Sequence, residues 1–433
     1  MAIIPQQKLF RWEELQTLGD LKRLRLVLSY MPDENLMRTL ERKRGNGRDD
    51  YPIRALWNSL LAGIVYEHER IEQLRRELAR NGQLRALCGF DSQVPPAYVY
   101  SRFFKILFAH EAMVNDIFDN LVKQLKEILP DFGKRLAIDS KAISSFAKHK
   151  NKNQKPDGRR DTDADYGKKK YTGIDKEGRA WGKVISWFGY KLHLIVDAAY
   201  ELPVLFSVSK ASVPDINEGR ELIEELEHRQ PDIIKTCQKL TADKGYDDVK
   251  FITKLWDKYE IKPVIDIRNM WKDPDKTRLL TGQTNVTYNY KGNVYCYCPQ
   301  TGKERELSNG GFEKDRNTIK KLCPAQQYGI ECKGLSQCPV KQGIRIPLYL
   351  DRRIFTPIDR ASYKWKREYN KRSSVERVNS RLDVSFGFEV HTIRSLAKMK
   401  IRSGLALCVM LAMALGRIRE NQADKMRSLV RSA

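Results

Sequence analysis

Three carboxylates in this chain stand where metal-assisted chemistry could be done. Asp139 directly follows the apolar run "LAI", Asp243 directly follows "KLTA", and Glu376 sits in "YNKRSSVERVNSRLD", from Tyr369 to Asp383, among arginines and lysines. Acids at the ends of two buried strands leave the core at one sheet edge, and a glutamate from a helix packed on that sheet can join them. Such a set offers hard oxygen donors to Mg²⁺ or Mn²⁺. Two ions roughly 3.5–4 Å apart can activate an attacking oxygen and stabilise a leaving one in phosphoryl transfer. Each acid also has a plainer reading: Asp243 as a turn residue opening "KGYDD", and Glu376 as a surface acid paired with its neighbours. Val375, Val378 and Leu382 make an apolar stripe that puts Glu376 at the border of a buried helix face, with Arg372 one turn before it. An arginine there can hold a phosphate without competing for the metal.

The elements that would carry these residues can be read from periodicity. Residues 1–132 read as helical, with Ile53, Leu56, Leu60 and Ile64 and then Ile71, Leu74 and Leu78 at helical spacing. Such a module suits helix-turn-helix docking on DNA, or a purely structural bundle. From 133 to 268 the pattern becomes strands and helices: "KRLAIDSKAI", strands over 190–197 and 203–209, the helix "DINEGRELIEELEHR", "KLTADKGYDD", a further helix and "IKPVIDIR". That order predicts a mixed α/β sheet. The polar segment between "AIDSKAI" and "WFGYKLHLIVD" lacks periodicity and is expected to be a long loop. Residues 269–347 are a Cys-containing insertion, and 348–433 return to helices.

The chain has 433 residues, an apolar fraction of 41% and a net charge of +24. It can build real cores, and the excess charge calls for a polyanionic partner. The N-terminus lacks the pattern of a signal peptide, and the apolar run 404–416 is too short to span a bilayer and reads as a buried helix. The expected location is the cytoplasm, on the nucleoid. Cys88, Cys237 and Cys408 read as small buried thiols in a reducing compartment.

Basic residues concentrate around the proposed ligands. Ten Lys/Arg lie between Arg352 and Arg381, and nine between Lys148 and Lys170. Lys371, Arg377, Arg381, Lys168, Lys169 and Lys170 are thereby candidate DNA contacts, against the ordinary alternative of a solvated charged face.

Together "YPIRALWNSLLAGIVYEHERIEQL", "AIDSKAI", "GYKLHLIVD", "LTADKGYDD" and "SSVERVNSRLD" resemble the bacterial insertion-sequence DDE transposases. One branch of that family carries a Tyr-x2-Arg-x3-Glu-x6-Lys signature. Tyr369, Arg372 and Glu376 match it, while the lysine position holds Asp383. The resemblance implies an RNase H-like core and Asp139, Asp243 and Glu376 as ligands of two Mg²⁺ or Mn²⁺ ions. It also implies DNA contacts by Tyr369 and Arg372 near the scissile phosphate, and a homodimer across paired ends. The expected partners are double-stranded element ends and target DNA. A repressor that kept the fold without transposition, or a stand-alone nuclease, are the rival readings.

Other features carry weaker signals. Five cysteines lie in the insertion, and Cys298, Cys323 and Cys338 each precede a proline. With Cys332 these three are the preferred set for a structural zinc; free reduced thiols are the alternative. Trp271, Tyr288, Tyr290 and Tyr295 can stack on an unpaired base or pack on one another. Lys191 and His193 alternate on one strand face, where His193 is either a substrate contact or a satisfied strand histidine. "DTDADYG" imitates a calcium loop but has Tyr166 where glycine is required, so Asp161, Asp163 and Asp165 read as turn-formers and solubilising acids.

Overall fold

The computed structural model describes residues 19–45, 50–147, 161–175, 177–271 and 276–429. Seven helices open the described chain: α1 (Leu21–Tyr30), α2 (Glu34–Arg44), α3 (Ile53–Val65), α4 (Ile71–Arg80), α5 (Gly82–Cys88), α6 (Ala97–Phe108) and α7 (Glu111–Ile128). Their apolar faces bury as the period requires, with Leu56, Leu60, Leu74 and Leu78 all in the core. The architecture is mixed α/β.

The main sheet contains β1 (Arg135–Ser144), β2 (Asp165–Ile174), β3 (Ala180–Asp197), β4 (Leu202–Lys210), β5 (Lys239–Ala242) and β6 (Lys262–Ile265). β1 lies antiparallel to β3 and parallel to β5, β5 is parallel to β6, and β4 pairs antiparallel with the second half of β3. The register sets Ile138 beside Ala242 and Ala242 beside Ile265. The residues that follow, Asp139, Asp243 and Asp266, therefore come side by side where β5 and β6 end. Helices α8 (Asp215–Arg229), α9 (Pro231–Thr236) and α10 (Val249–Asp257) connect these strands.

The expected long loop is corrected over part of its length. Residues 148–160 lie outside the described residues, but Asp165–Ile174 is a strand paired with Ala180–Gly189 in a ribbon. Its polarity hid it, because the first half of β3 is exposed and so carries no hydrophobic alternation. What stabilises it instead is aromatic cover over glycine: a Cβ on Gly167 would meet Trp187 at 2.4 Å, and one on Gly173 would meet Trp181 at 2.7 Å. The acids before the ribbon are also corrected. Asp161 is buried and accepts hydrogen bonds from Tyr190 Oη, Ser145 Oγ and the Ser395 N–H, while Asp163 accepts from the Leu396 N–H. They tie the ribbon's base to the last helix rather than solubilise a loop.

The insertion folds into two small sheets: β7 (Thr277–Leu279), β8 (Val286–Asn289), β9 (Val294–Tyr297) and β10 (Glu304–Glu306) in one, and β11 (Ser308–Glu313), β12 (Thr318–Leu322) and β13 (Ile344–Pro347) in the other, with the short α11 (Pro324–Tyr328). It has its own small apolar cluster, into which Trp256 of α10 reaches. Trp271 packs edge-on against Tyr288 and Tyr290, and Tyr288 packs against Phe355, so these rings serve that cluster.

The chain then forms α12 (Tyr363–Tyr369), α13 (Ser373–Phe386) and α14 (Leu396–Arg419). α14 is long and apolar enough to cross a membrane by composition, but it lies buried against α1, α7 and β4. One hydrophobic cluster runs from the opening helices through α14 into the main sheet.

Candidate active site

Each candidate acid is held by its own element. Asp139 sits within β1, where its Oδ1 accepts the Ser140 N–H at 2.7 Å and its Oδ2 meets Arg372 Nη1 at 3.3 Å. Asp243 ends β5, and its Oδ1 accepts the Gly245 N–H at 2.7 Å. That glycine is required for closeness: a Cβ on it would lie 2.8 Å from Asp243 Oδ1. Burial first and the neighbouring Asp243 second push the Asp139 carboxyl up to about 6. Two neighbouring carboxylates with oxygen lone pairs left over form a donor set suited to a divalent cation. Among the described residues no three His, Cys, Asp or Glu side chains are drawn together tightly enough to hold an ion as they stand.

Glu376 stands off from the pair for a visible reason. Its Oε1 is bound to Arg372 Nη2 at 2.8 Å and its side chain is 56% exposed, so the arginine bridges Asp139 and Glu376. Arg372 is itself set by a stack of rings. Arg360 lies over Trp365, Trp365 stacks on Tyr369 with centroids 4.8 Å apart, and Arg372 lies 6.0 Å from the Tyr369 ring centroid. The expected single helix over 369–383 is tightened at Asn370–Arg372 into a 3₁₀ turn between α12 and α13. The predicted stripe survives, with Val375, Val378 and Leu382 fully buried.

The other predicted contacts separate into two groups. Lys169 Nζ lies 3.5 Å from the Ser140 carbonyl and its charge acts on Asp139, while Lys168 and Lys170 are exposed on the ribbon. By contrast, Arg377 binds Glu201 at 2.6 Å, and Arg381 binds the Glu201 carbonyl with most of its side chain covered. Glu201 follows Asp197, whose register partner is Leu136 and not Asp139, so the structure does not bring these two arginines to the acids. Lys371 is engaged with Glu368 at 2.9 Å. Much of the basic run is thus taken up internally: Arg352 pairs with Asp257, Arg353 with Asp247, and the half-buried Arg360 donates to the Ile265 and Arg353 carbonyls. Lys364, Lys366 and Arg367 stay exposed.

His193 is fully buried, with Nε2 2.8 Å from Ser209 Oγ, and burial pushes it down to about 4; it is a neutral strand histidine. Lys191 binds Asp215 and the Val213 carbonyl, each at 2.8 Å. Two features went unread in the sequence. Asp266, after "KPVI", repeats the apolar-run-then-Asp signal of the other two aspartates and pairs with Lys244 at 3.4 Å. Trp365, four residues before Tyr369, had the helical spacing for the stack.

Residues 131–412 match the family model described as "Transposase DDE domain", and residues 10–106 match that described as "Transposase domain (DUF772)". The chain belongs to the DDE-domain transposase family. It is a DNA transposase, an enzyme of DNA cleavage and strand transfer, with DNA as its partner. No curated protein matches it. Among solved structures, the cryo-EM structure of a piggyBac transposase synaptic complex with hairpin DNA aligns at 12% identity over 98% of this chain and 87% of that one, with a TM-score of 0.29. A likeness that slight carries no argument.

Proposed function

We propose that Asp139, Asp243 and Glu376 are the catalytic acids and the ligands of two Mg²⁺ or Mn²⁺ ions on an RNase H-like core. The observation that carries this reading is the meeting of Asp139 and Asp243 at one sheet edge, with Arg372 reaching from Asp139 to Glu376. The strand order supports the fold reading: antiparallel β4, β3 and β1 are continued by parallel β5 and β6, and β2 pairs with the other half of β3. When bound, the ions supply activation of the attacking oxygen and stabilisation of the leaving oxygen.

The chain's own residues bind and orient DNA. Arg372 presents a planar fork to a phosphate. A phosphate arriving there competes with Glu376 for the same guanidinium and releases that carboxylate toward the aspartates. Tyr369 and Trp365 hold the fork in place, and Lys168, Lys169 and Lys170 extend the cationic side along the ribbon. The reaction is hydrolysis at an element end to free a 3′-OH, then attack of that 3′-OH on target DNA, carried out by a homodimer in the cytoplasm. Residues 1–132 recognise the ends, 133–268 and 348–433 form the catalytic part, and 269–347 is an insertion.

Asp139→Asn, Asp243→Asn and Glu376→Gln are each expected to abolish Mg²⁺-dependent cleavage of element-end DNA while leaving its binding nearly intact, because an amide of the same shape is a poor metal ligand. Full cleavage by any one variant removes that residue from the set. Cleavage by the native protein without strand transfer reduces the function to that of a nuclease.

A further inference from the structure

Recognition of element ends needs a protein face that duplex DNA can reach, and α6 presents one. Tyr100, Phe103 and Leu107 bury one side of this helix, which packs against α4, α7 and α14. On the opposite side Tyr98, Ser101, Arg102, Lys105 and Ile106 are all exposed, Tyr98 by 57%. At about 100° per residue these five share one face of the helix.

The cations on that face are not taken up by acids. The helix "AYVYSRFFKILF" contains no Asp or Glu, and among the described residues neither Arg102 nor Lys105 has an acidic partner. The arginines of neighbouring helices differ: Arg38 binds Glu34 and Arg44 binds Glu41 on α2, while Arg75 binds Glu72 and Arg80 binds Glu77 on α4. Arg102 instead lies over the Tyr98 ring, 5.1 Å from its centroid. A ring holds a guanidinium by its flat side and leaves the N–H groups at its edge for another acceptor.

The start of α6 is fixed from behind. Pro95 and Pro96 precede it, and Arg75 of α4, bound to Glu72 at 2.7 Å, donates from Nε to the Pro95 carbonyl at 2.7 Å. A helix-turn-helix unit reads base edges with the N-terminal residues of its second helix. Tyr98, Ser101 and Arg102 lie in the first half of α6, and Lys105 follows close to one turn later. A helix about 10–12 Å across fits a major groove about 12 Å wide. The helix also adjoins the proposed DNA surface of the core. Phe104 lines a small cavity with Thr392 and Ile393, and just beyond them Ser395 and Leu396 give their N–H groups to Asp161 and Asp163 at the base of the ribbon.

We infer that α6 is the base-reading helix, lying in the major groove of the element end with Arg102 on a guanine and Lys105 on a phosphate of the groove wall. The planar fork of Arg102 matches the O6 and N7 acceptors of guanine, whereas Lys105 is a compact charge suited to a phosphate. Tyr98 is a positioning residue that acts through Arg102. The inference rests on the reading of residues 1–132 as the end-recognising part and adds which helix and which side chains do the reading.

The test uses the full chain without divalent metal, so that binding is read apart from cleavage. The probes are a duplex carrying the inverted repeats that flank the coding sequence and a scrambled duplex of equal length and composition, each titrated at several salt concentrations. Arg102→Ala is expected to lower the ratio of the two affinities by about tenfold or more, the cost of one bidentate base contact. Arg102→Lys, which keeps the charge, should lose nearly as much of that ratio. Lys105→Ala should weaken both duplexes alike and flatten the log-affinity against log-salt slope by roughly 0.9. Tyr98→Phe should bind as the native protein does, whereas Tyr98→Ala should lose part of the discrimination and add little to Arg102→Ala. An Arg102→Ala chain that melts like the native protein and keeps its discrimination overturns the inference while end recognition stands. A change confined to the oligomeric mass of the free chain also overturns it, by giving this face to a second copy. A native chain that binds both duplexes equally overturns end recognition itself, and this inference with it.

Discussion

At the scale of single residues, Arg372 couples the site. It binds Asp139 and Glu376 at once and rests on the Tyr369 ring. Replacing it with alanine should weaken DNA binding, slow cleavage and flatten the log-affinity against log-salt slope by roughly 0.9 for the lost phosphate contact. Arg372→Lys keeps the charge but cannot touch both acids and a phosphate with a planar fork, so it should recover salt dependence more than cleavage rate. A salt titration of element-end DNA binding, read beside single-turnover cleavage, checks both. Unchanged affinity, slope and rate in Arg372→Ala would place this arginine away from DNA and return Glu376 to an ordinary surface acid.

At the scale of elements, α13 is anchored to β1 by a charge pair the signature did not foretell. Asp383 occupies the branch's lysine position, and its Oδ2 meets Lys141 Nζ at 2.5 Å, with Glu389 on the same lysine at 2.7 Å. The cation at this place therefore comes from the strand instead of the helix. Asp383→Lys would set two ammonium groups against each other in a largely covered position. We expect it to destabilise the fold by about 3 kcal/mol, the lower end for breaking a buried ion pair, and not to tighten DNA binding. Combining it with Lys141→Glu should restore much of the loss, as a double-mutant cycle in denaturant unfolding would read. The aromatic-on-glycine ribbon belongs to this scale as well: Gly167→Val would drive a side chain into Trp187 and should loosen the arm that carries Lys168, Lys169 and Lys170.

At the scale of the whole molecule, α14 unites the opening helices with the sheet. A Cβ on its Gly416 would lie 2.6 Å from Tyr30 and 2.7 Å from Leu26, both on α1, so this glycine lets the two helices approach closely. Gly416→Val should cost about 1–3 kcal/mol through overpacking. Because one apolar cluster spans helices and sheet, the loss should appear in a single shared transition. Thermal unfolding followed by helix signal and by tryptophan fluorescence checks this. Separate melting of the helices at an unchanged sheet midpoint would contradict a common core.

Periodicity and local order alone determined the helical opening, the mixed sheet, the two aspartates at strand ends and the buried stripe under Glu376. Each of these depends on residues close together in the chain. "LAID" and "LTAD" bury their apolar residues wherever the strands lie, and Val375, Val378 and Leu382 face the core at any crossing angle. Tertiary structure decided what depends on distant partners. It set Asp266 beside Asp243 through strand register, gave Arg377 and Arg381 to Glu201, and answered Asp383 with Lys141 across 242 residues of chain. Charge counts along a segment do not reveal which cations are already paired, because the matching acid is chosen by packing. The exposed ribbon escaped for a related reason: a strand with no core face leaves no alternation to read, and it is held by its cross-strand ladder and the fit of Trp187 over Gly167 and Trp181 over Gly173.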